Sequence, residues 1–198
     1  MTERTYDVVI WGATGFTGRL AVDYMYFTYG LNGDVKWAVA GRNASKLSEL
    51  RQAVAGADAD QIPELVADSY DEVSLRQLVA STGVVCTTVG PYAIYGSLLV
   101  QLCAEEGTHY CDLTGEVHWM RQMMEAHHST AEASGARIVH NCGFDSIPSD
   151  LGTLYVQNEM QRLHGVYAPR VKYRVVRSNG GVSGGTVASM INMMEEAK

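Results

Sequence analysis

Three glycines near the N-terminus constrain the fold more than any other feature of this sequence. Gly12, Gly15 and Gly18 are spaced as G-x-x-G-x-x-G and directly follow the apolar run Val8-Val9-Ile10-Trp11. The next residues, from about 17 to 29, have the apolar spacing of a helix that ends before Gly30. A buried strand, a glycine turn and a helix in this order are typical of the first half of a βαβ unit.

Each glycine has a predicted role. Gly12 lets the chain turn sharply out of the strand, Gly15 lets the backbone approach a pyrophosphate, and Gly18 lets the helix pack closely on the sheet. The free N–H groups at the start of the helix would then face the anion. The residues predicted to hold a dinucleotide are Gly12, Ala13, Thr14, Gly15, Phe16, Thr17 and Gly18. The alternative is a tight structural turn without a ligand.

Strand and helix signals alternate as far as residue 140. Short apolar runs predict five further strands, at residues 35–40, 64–67, 84–89, 110–113 and 137–140, with helices between them. Six such strands predict an α/β fold, a doubly wound parallel sheet of the Rossmann type that is covered on both faces. In the first helix, Leu20, Tyr24 and Phe27 fall on one side.

The pattern changes after residue 165. Pro148 fits the first turn of a helix that runs to about residue 163. Residues 171–175 alternate in polarity and predict a half-exposed strand, and residues 186–196 predict a helix. One strand and one helix cannot bury a core. The predicted domains are therefore a nucleotide-binding domain at 1–165 and the incomplete start of a second domain at 166–198, as in a truncated chain or one that pairs with a partner.

The end of the second strand indicates which dinucleotide is bound. NAD-binding domains usually carry Asp or Glu there, but this sequence has Arg42, which can pair with a 2′-phosphate. Lys46 follows one helical turn later and could add a second positive charge. These residues favour NADP over NAD, which stays an alternative, as does a solvated basic pair at a helix start.

Residues after the third and fourth strands extend the predicted site. Asp68 could reach the adenine amino group or could serve only in a turn. Gly90 and Pro91 would let the backbone pass close to the nicotinamide half. Tyr92 could form a wall of that pocket or pack in the core.

The catalytic group is not assigned from the sequence. No tyrosine has a lysine four positions later, so the Tyr-x-x-x-Lys mechanism of short-chain dehydrogenases is disfavoured, and no histidine spacing indicates a metal site. Asp112, Glu116 and Asp145 follow the fifth and sixth strands, at the edge where ligands bind. Asp145 is expected to cap the next helix rather than act in the site. His140 is expected to be a packed or surface histidine, with a position facing the cleft as the alternative.

Charge and sequence patterns disfavour several classes of protein. The formal net charge of −7 disfavours a nucleic-acid partner. The sequence has no apolar run long enough to cross a membrane, and the first seven residues do not resemble a signal peptide. The four cysteines form no C-x-x-C pair and are expected to be buried, reduced thiols. A cytoplasmic protein is therefore expected.

Five motifs occur together in one order along the chain. They are Val9-Ile10-Trp11-Gly12-Ala13-Thr14-Gly15-Phe16-Thr17-Gly18, Ala40-Gly41-Arg42, Val89-Gly90-Pro91-Tyr92, Tyr110-Cys111-Asp112-Leu113-Thr114-Gly115-Glu116 and Gly143-Phe144-Asp145-Ser146-Ile147-Pro148-Ser149-Asp150. Together they resemble the saccharopine dehydrogenase-like oxidoreductases, which include the trans-acting enoyl reductases. The resemblance implies NAD(P) at the glycine loop and a second α/β domain that shapes the substrate site and often the dimer contact.

The predicted function combines the motifs with this resemblance. The chain is expected to be the NADP-binding domain of an oxidoreductase that transfers a hydride between a nicotinamide cofactor and an enoyl, imine or keto substrate. The expected partners are that small molecule and, through the second domain, another copy of the chain. The alternative is a non-catalytic dinucleotide-binding redox sensor or regulatory module.

Overall fold

A computed structural model describes residues 4–177, 179–181 and 183–196, so Met1, Thr2 and Glu3 of the N-terminal stretch considered above lie outside it. The strands are β1 (Tyr6–Trp11), β2 (Trp37–Gly41), β3 (Glu64–Val66), β4 (Thr82–Thr87), β5 (His109–Cys111) and β6 (Ile138–Val139). The α-helices are α1 (Phe16–Tyr29), α2 (Ala44–Ala55), α3 (Glu72–Ser81), α4 (Tyr92–Tyr95), α5 (Ser97–Glu106), α6 (Val117–Ser134), α7 (Ile147–His164) and α8 (Gly184–Glu196).

All six strands form one parallel sheet in the order β3-β2-β1-β4-β5-β6. Val9 of β1 pairs with Ala38 of β2 on one side and with Val85 of β4 on the other. The chain therefore winds outwards in both directions from β1, which confirms the predicted doubly wound sheet. The carboxyl ends of β1 and β4 border the crevice where ligands bind in such sheets.

The core forms two layers, one on each face of the sheet. Val9 and Trp11 of β1 face one layer, and Ile10 between them faces the other. Helices α3, α5 and α6 contribute to the first layer, where the buried side chains include Leu75, Leu99, Leu102 and Trp119. Helices α1 and α2 supply the second, with Val22, Met25, Leu47 and Leu50. Successive side chains of a strand point to opposite faces, so one short apolar run serves both layers.

Local signals explain several helix ends. Asn43 caps α2, because its side-chain oxygen accepts a hydrogen bond from the Lys46 amide at 3.0 Å. Gly107 ends α5 in the left-handed conformation, with φ of 67°. The expected cap of α7 by Asp145 is wrong. Ser146 occupies the cap position there, and no side-chain cap hydrogen bond forms.

The region after β6 packs less closely than the sheet. No residue of α7 is buried, although the helix carries apolar side chains such as Leu151, Leu154 and Tyr155. The strand expected at residues 171–175 is absent from the structure, because no neighbouring strand lies beside this segment to complete its backbone hydrogen bonds. Helix α8 begins two residues earlier than predicted. None of the helices in the described ranges is long and apolar enough to cross a membrane.

Candidate dinucleotide-binding site

Two of the three loop glycines are required by the packing of the loop itself. Gly12 has a φ of +86°, and a Cβ there would lie 2.6 Å from Cγ2 of Val89. At Gly18 a Cβ would lie 2.1 Å from the carbonyl oxygen of Gly12. These contacts allow only glycine at either position, and they place the start of α1 directly against the turn that leaves β1.

Gly15 is less constrained, because a Cβ there would meet a single close neighbour and no positive φ is required. Its φ of −73° and ψ of 169° suit any residue, and a Cβ would meet only the carbonyl oxygen of Gly12, at 3.3 Å. Gly15 is the N-cap of α1, and no side chain caps the helix. The first amides of the helix, on Phe16 and Thr17, have no acceptor within the helix itself. The loop therefore presents donors and an uncrowded backbone, as an anion site requires.

A cleft of about 700 Å³ lies beside this loop, at the carboxyl edge of the sheet. Ten of the thirteen predicted site residues line it: Gly12, Thr14, Gly15, Phe16, Thr17, Arg42, Asp68, Gly90, Pro91 and Tyr92. Ala13 and Gly18 are buried behind the loop, and the Lys46 side chain is not among those that line the cleft. The contribution expected from Lys46 therefore has no support in the geometry.

Arg42 and Asp68 lie at the ends of neighbouring strands on the rim of the cleft. Arg42 is exposed and takes part in no ion pair or side-chain hydrogen bond among the residues that the structure describes. Asp68 accepts a hydrogen bond from the amide of Tyr70 at 3.0 Å, so it shapes a turn while also lining the cleft. The Arg42 guanidinium is thus available to bind a ligand, whereas one oxygen of the Asp68 carboxylate already accepts a hydrogen bond.

Tyr92 serves both of the roles that the sequence left open. Its ring lines the cleft and packs against Trp119, with ring centroids 5.7 Å apart. Its hydroxyl donates to the carbonyl of Thr87 at 3.4 Å. Burial, and then the negative charge of Asp112, raise the pKa of Tyr92 well above its ordinary range. The phenol therefore stays protonated at neutral pH and acts as a wall of the cleft.

Asp112 and His140 form a buried pair behind the cleft. The Asp112 carboxylate lies 2.6 Å from Nδ1 of His140 and accepts a second hydrogen bond from the hydroxyl of Tyr110 at 2.9 Å. The ring of His140 packs edge-on against Trp119 with centroids 5.2 Å apart. His140 is thus the packed histidine that was expected. The pKa of Tyr110 is raised by burial and then by the charge of Asp112.

The far wall of the cleft was not predicted from the sequence. It is formed by α8 and the residues just before it: Ser183, Gly185, Thr186, Ala188, Ser189, Met190 and Met193. Asp145, expected to serve only as a helix cap, lines the cleft as well. No local motif marks these residues, because their position depends on contacts with loops more than 70 residues away in the chain, such as the contact between Ser189 and Glu116.

Most of the Rossmann domain matches a known protein family. The family described as the saccharopine dehydrogenase NADP-binding domain matches residues 8–139. This segment begins within β1 and ends with β6, so it contains the glycine loop and every strand of the sheet.

Two mycobacterial proteins are similar in sequence. A Mycobacterium tuberculosis protein that carries the provisional name trans-acting enoyl reductase Rv2449c is 44% identical over 197 residues, which are 99% of this chain and 46% of that protein. A trans-acting enoyl reductase of Mycobacterium leprae is 43% identical over 149 residues, 75% of this chain and 35% of that protein. The chain therefore spans about half, or less, of the length of the curated relatives it matches.

Two solved structures share the fold at low sequence identity. Saccharopine dehydrogenase (L-Glu forming) from Saccharomyces cerevisiae matches with a TM-score of 0.62 and 18% identity, over 79% of this chain and 32% of the yeast chain. Triphenylmethane reductase from Citrobacter sp., complexed with NADP(H), matches with a TM-score of 0.50 and 16% identity, over 68% of this chain and 48% of its own. With its parallel sheet, its glycine loop and the family match over residues 8–139, the chain belongs to the saccharopine dehydrogenase NADP-binding domain family.

Proposed function

We propose that this chain binds NADP(H) in the cleft at the carboxyl edge of its sheet, as the cofactor-binding part of an oxidoreductase. The observation that carries the proposal is the pairing of two features on one cleft. The open start of α1 at Gly15 offers N–H groups to a pyrophosphate, and Arg42 offers an unpaired guanidinium at the end of β2.

The preference for NADP over NAD rests on the chemistry at Arg42. Position 42 lies just after β2, where NAD-binding domains carry a carboxylate for the ribose hydroxyls. A guanidinium favours a phosphate at that place, and a carboxylate would repel one. The family's description as an NADP-binding domain and the NADP(H) complex of the Citrobacter reductase support the same choice.

The residues would divide the dinucleotide among them. The loop from Gly12 to Thr17 would hold the pyrophosphate, and Arg42 with Asp68 would hold the adenosine half. Gly90, Pro91 and Tyr92 would border the nicotinamide. The cofactor supplies a hydride, and the protein has to orient it and exclude water. Buried, protonated Tyr92 and the methionines of α8 provide an apolar border for that purpose.

The substrate proposed is an enoyl, imine or keto compound. The mycobacterial relatives are named enoyl reductases, which favours a carbon–carbon double bond among these three. We propose further that residues 166–198 belong to a second domain that completes the substrate site and a dimer contact. Helix α8 supports this assignment, since it lies across the cleft and contributes Thr186 and Met190 to its lining.

A fluorescence titration with NADPH and, separately, with NADH tests the proposal. Trp11 lines the cleft, so quenching of its emission and the enhanced emission of bound NADPH both report occupancy. We expect NADPH to bind at least tenfold more tightly than NADH, because one charge-assisted contact contributes roughly 1.5–3 kcal/mol. Equal affinity for both would refute the role of Arg42, and binding of neither would refute the proposed site.

A further inference from the structure

Glu116 lies in an unusual environment for a carboxylate. Its residue is 3% exposed, and its two oxygens accept three hydrogen bonds from two different parts of the chain. The amides of Tyr92 and Ala93 donate at 2.9 and 2.8 Å, and the hydroxyl of Ser189 donates at 2.8 Å. The first two groups belong to the start of α4, and the third belongs to α8.

The hydrogen-bond partners of this carboxylate are two backbone amides and a hydroxyl. In the described ranges no ion pair includes Glu116. Burying a carboxylate without a positive partner is costly, and hydrogen bonds from several donors must compensate. In either orientation, a glutamine would turn its NH2 group towards the amide of Tyr92 or that of Ala93. The arrangement therefore suits a side chain with two acceptor oxygens, which glutamate has and glutamine lacks.

The three donors belong to two elements that both line the cleft. One is the turn at residues 90–93, which the proposed function assigns to the nicotinamide, and the other is α8. Ser189 is also close to that turn directly, because its Oγ would lie 3.5 Å from a Cβ built on Gly90. A single oxygen of Glu116, Oε1, accepts from both elements at once.

We propose that Glu116 is a positioning residue that sets the width of the cleft by holding α8 against the turn at residues 90–93. The role rests on the proposed NADP(H) site, since the turn and the helix both border the part of the cleft that would hold the nicotinamide half. Without the Ser189 contact, α8 leaves the cleft more often, and the cofactor loses one wall. Glu116 itself need not touch the reacting atoms.

The test uses the whole chain and removes each part of the contact separately. Ser189→Ala deletes the hydroxyl, Ser189→Thr keeps it, and Glu116→Gln replaces an acceptor oxygen with a donor. Ser149→Ala is the matched control, because the Ser149 hydroxyl bonds only within its own region, to the carbonyl of Ser146 at 2.9 Å. For each protein, the Kd for NADPH, the thermal midpoint and the amide exchange of residues 184–196 are measured.

We expect Ser189→Ala to raise the Kd for NADPH about tenfold and to speed exchange in α8, with little change in the thermal midpoint. Ser149→Ala should match the wild type, and Ser189→Thr should recover most of the affinity that Ser189→Ala loses. The losses in NADPH affinity of Glu116→Gln and Ser189→Ala should not add in the double variant, because the two residues take part in one contact. A change confined to the thermal midpoint would indicate a role in folding only and would overturn the proposal.

The exchange measurement separates this inference from the proposed function. If the wild type binds no NADPH while Ser189→Ala still speeds amide exchange in α8, the proposed cofactor is wrong, but the role of Glu116 in holding α8 stands. If the wild type binds NADPH and Ser189→Ala changes neither the affinity for NADPH nor the amide exchange of α8, the proposed role of Glu116 is wrong. Should Glu116→Gln fail to fold, the comparison of Ser189→Ala with Ser189→Thr decides the question.

Discussion

Replacing Gly15 with valine should abolish dinucleotide binding and leave the fold intact. The backbone at Gly15 already has an extended conformation that valine adopts readily, and a Cβ meets only the Gly12 carbonyl oxygen, at 3.3 Å. The valine methyl groups would then extend into the cleft, over the free amides of Phe16 and Thr17. The substituted side chain and a pyrophosphate would compete for one place.

The size of the effect follows from the contacts that are lost. A hydrogen bond to a charged group contributes roughly 1.5–3 kcal/mol, so losing two amide contacts to the pyrophosphate costs roughly 3–6 kcal/mol. Since about 1.4 kcal/mol corresponds to a factor of ten, the Kd for NADPH should rise at least about a hundredfold. The free energy of unfolding should fall by only about 1 kcal/mol, the typical effect of an apolar N-cap residue.

Gly18→Ala provides the contrast in the same loop. Its Cβ would lie 2.1 Å from the Gly12 carbonyl oxygen and 2.9 Å from Cα of Ala13, so the helix would have to shift away from the loop. Overpacking of this kind typically costs about 1–3 kcal/mol or more, and the loss should appear in the thermal midpoint. Fluorescence titration and thermal circular dichroism on both variants separate the two roles. A folded Gly15→Val protein with wild-type affinity for NADPH would refute the reasoning.

Three further predictions follow from other parts of the structure. Arg42→Asp should weaken NADPH binding about tenfold or more relative to NADH, with Lys46→Ala as the control that leaves the ratio unchanged; an unchanged ratio in Arg42→Asp would contradict the assignment. His140→Phe should lower the thermal midpoint by roughly 3–12 °C, because the buried Asp112 carboxylate loses a hydrogen bond, and an unchanged midpoint would contradict this role. In the folded protein, iodoacetamide at pH 8 should label Cys142 faster than Cys103, since burial raises the pKa of both thiols but Cys142 is exposed to the reagent and Cys103 is buried; equal labelling by mass spectrometry would contradict the burial of Cys103.

The features that could be predicted from the sequence depend on local patterns. A glycine turn between an apolar run and a helix is a local arrangement, and so are the six short apolar runs of the sheet. The ends of the strands moved by one or two residues, because pairing with the neighbouring strands sets them: β4 ends at Thr87, where it pairs with Trp11. The expectation that the cysteines are buried held for Cys103, whereas Cys86 and Cys111 are half-buried and Cys142 is exposed.

Helix α1 shows where periodicity alone is ambiguous. Leu20, Tyr24 and Phe27 share one side of the helix, yet all three are exposed. The buried side carries Gly18, Val22 and Met25, which have the same spacing. Gly18 determines which side of the helix is buried, because only a residue without a Cβ allows the helix to approach the loop so closely.

The missed parts of the site depend on contacts between distant segments. Ser189 reaches Glu116 across 73 positions of the chain, and no spacing rule connects them. The alternation at residues 171–175 has the period of a strand, but a strand forms only where a neighbour completes its backbone hydrogen bonds. Sequence periodicity carries no information on whether that neighbour is present.

Because α7 is exposed and the strands are buried, we expect the two regions to open at very different free energies. An isolated helix of 18 residues is only marginally stable in water, and α7 also contains Gly152 while burying none of its side chains. We therefore expect the backbone of α7 to unwind and re-form without disturbing the sheet. Strand β1, paired on both sides and buried beneath two layers of helices, opens only when the whole domain unfolds. We therefore expect slow amide exchange in the strands that hold the glycine loop and much faster exchange in α7.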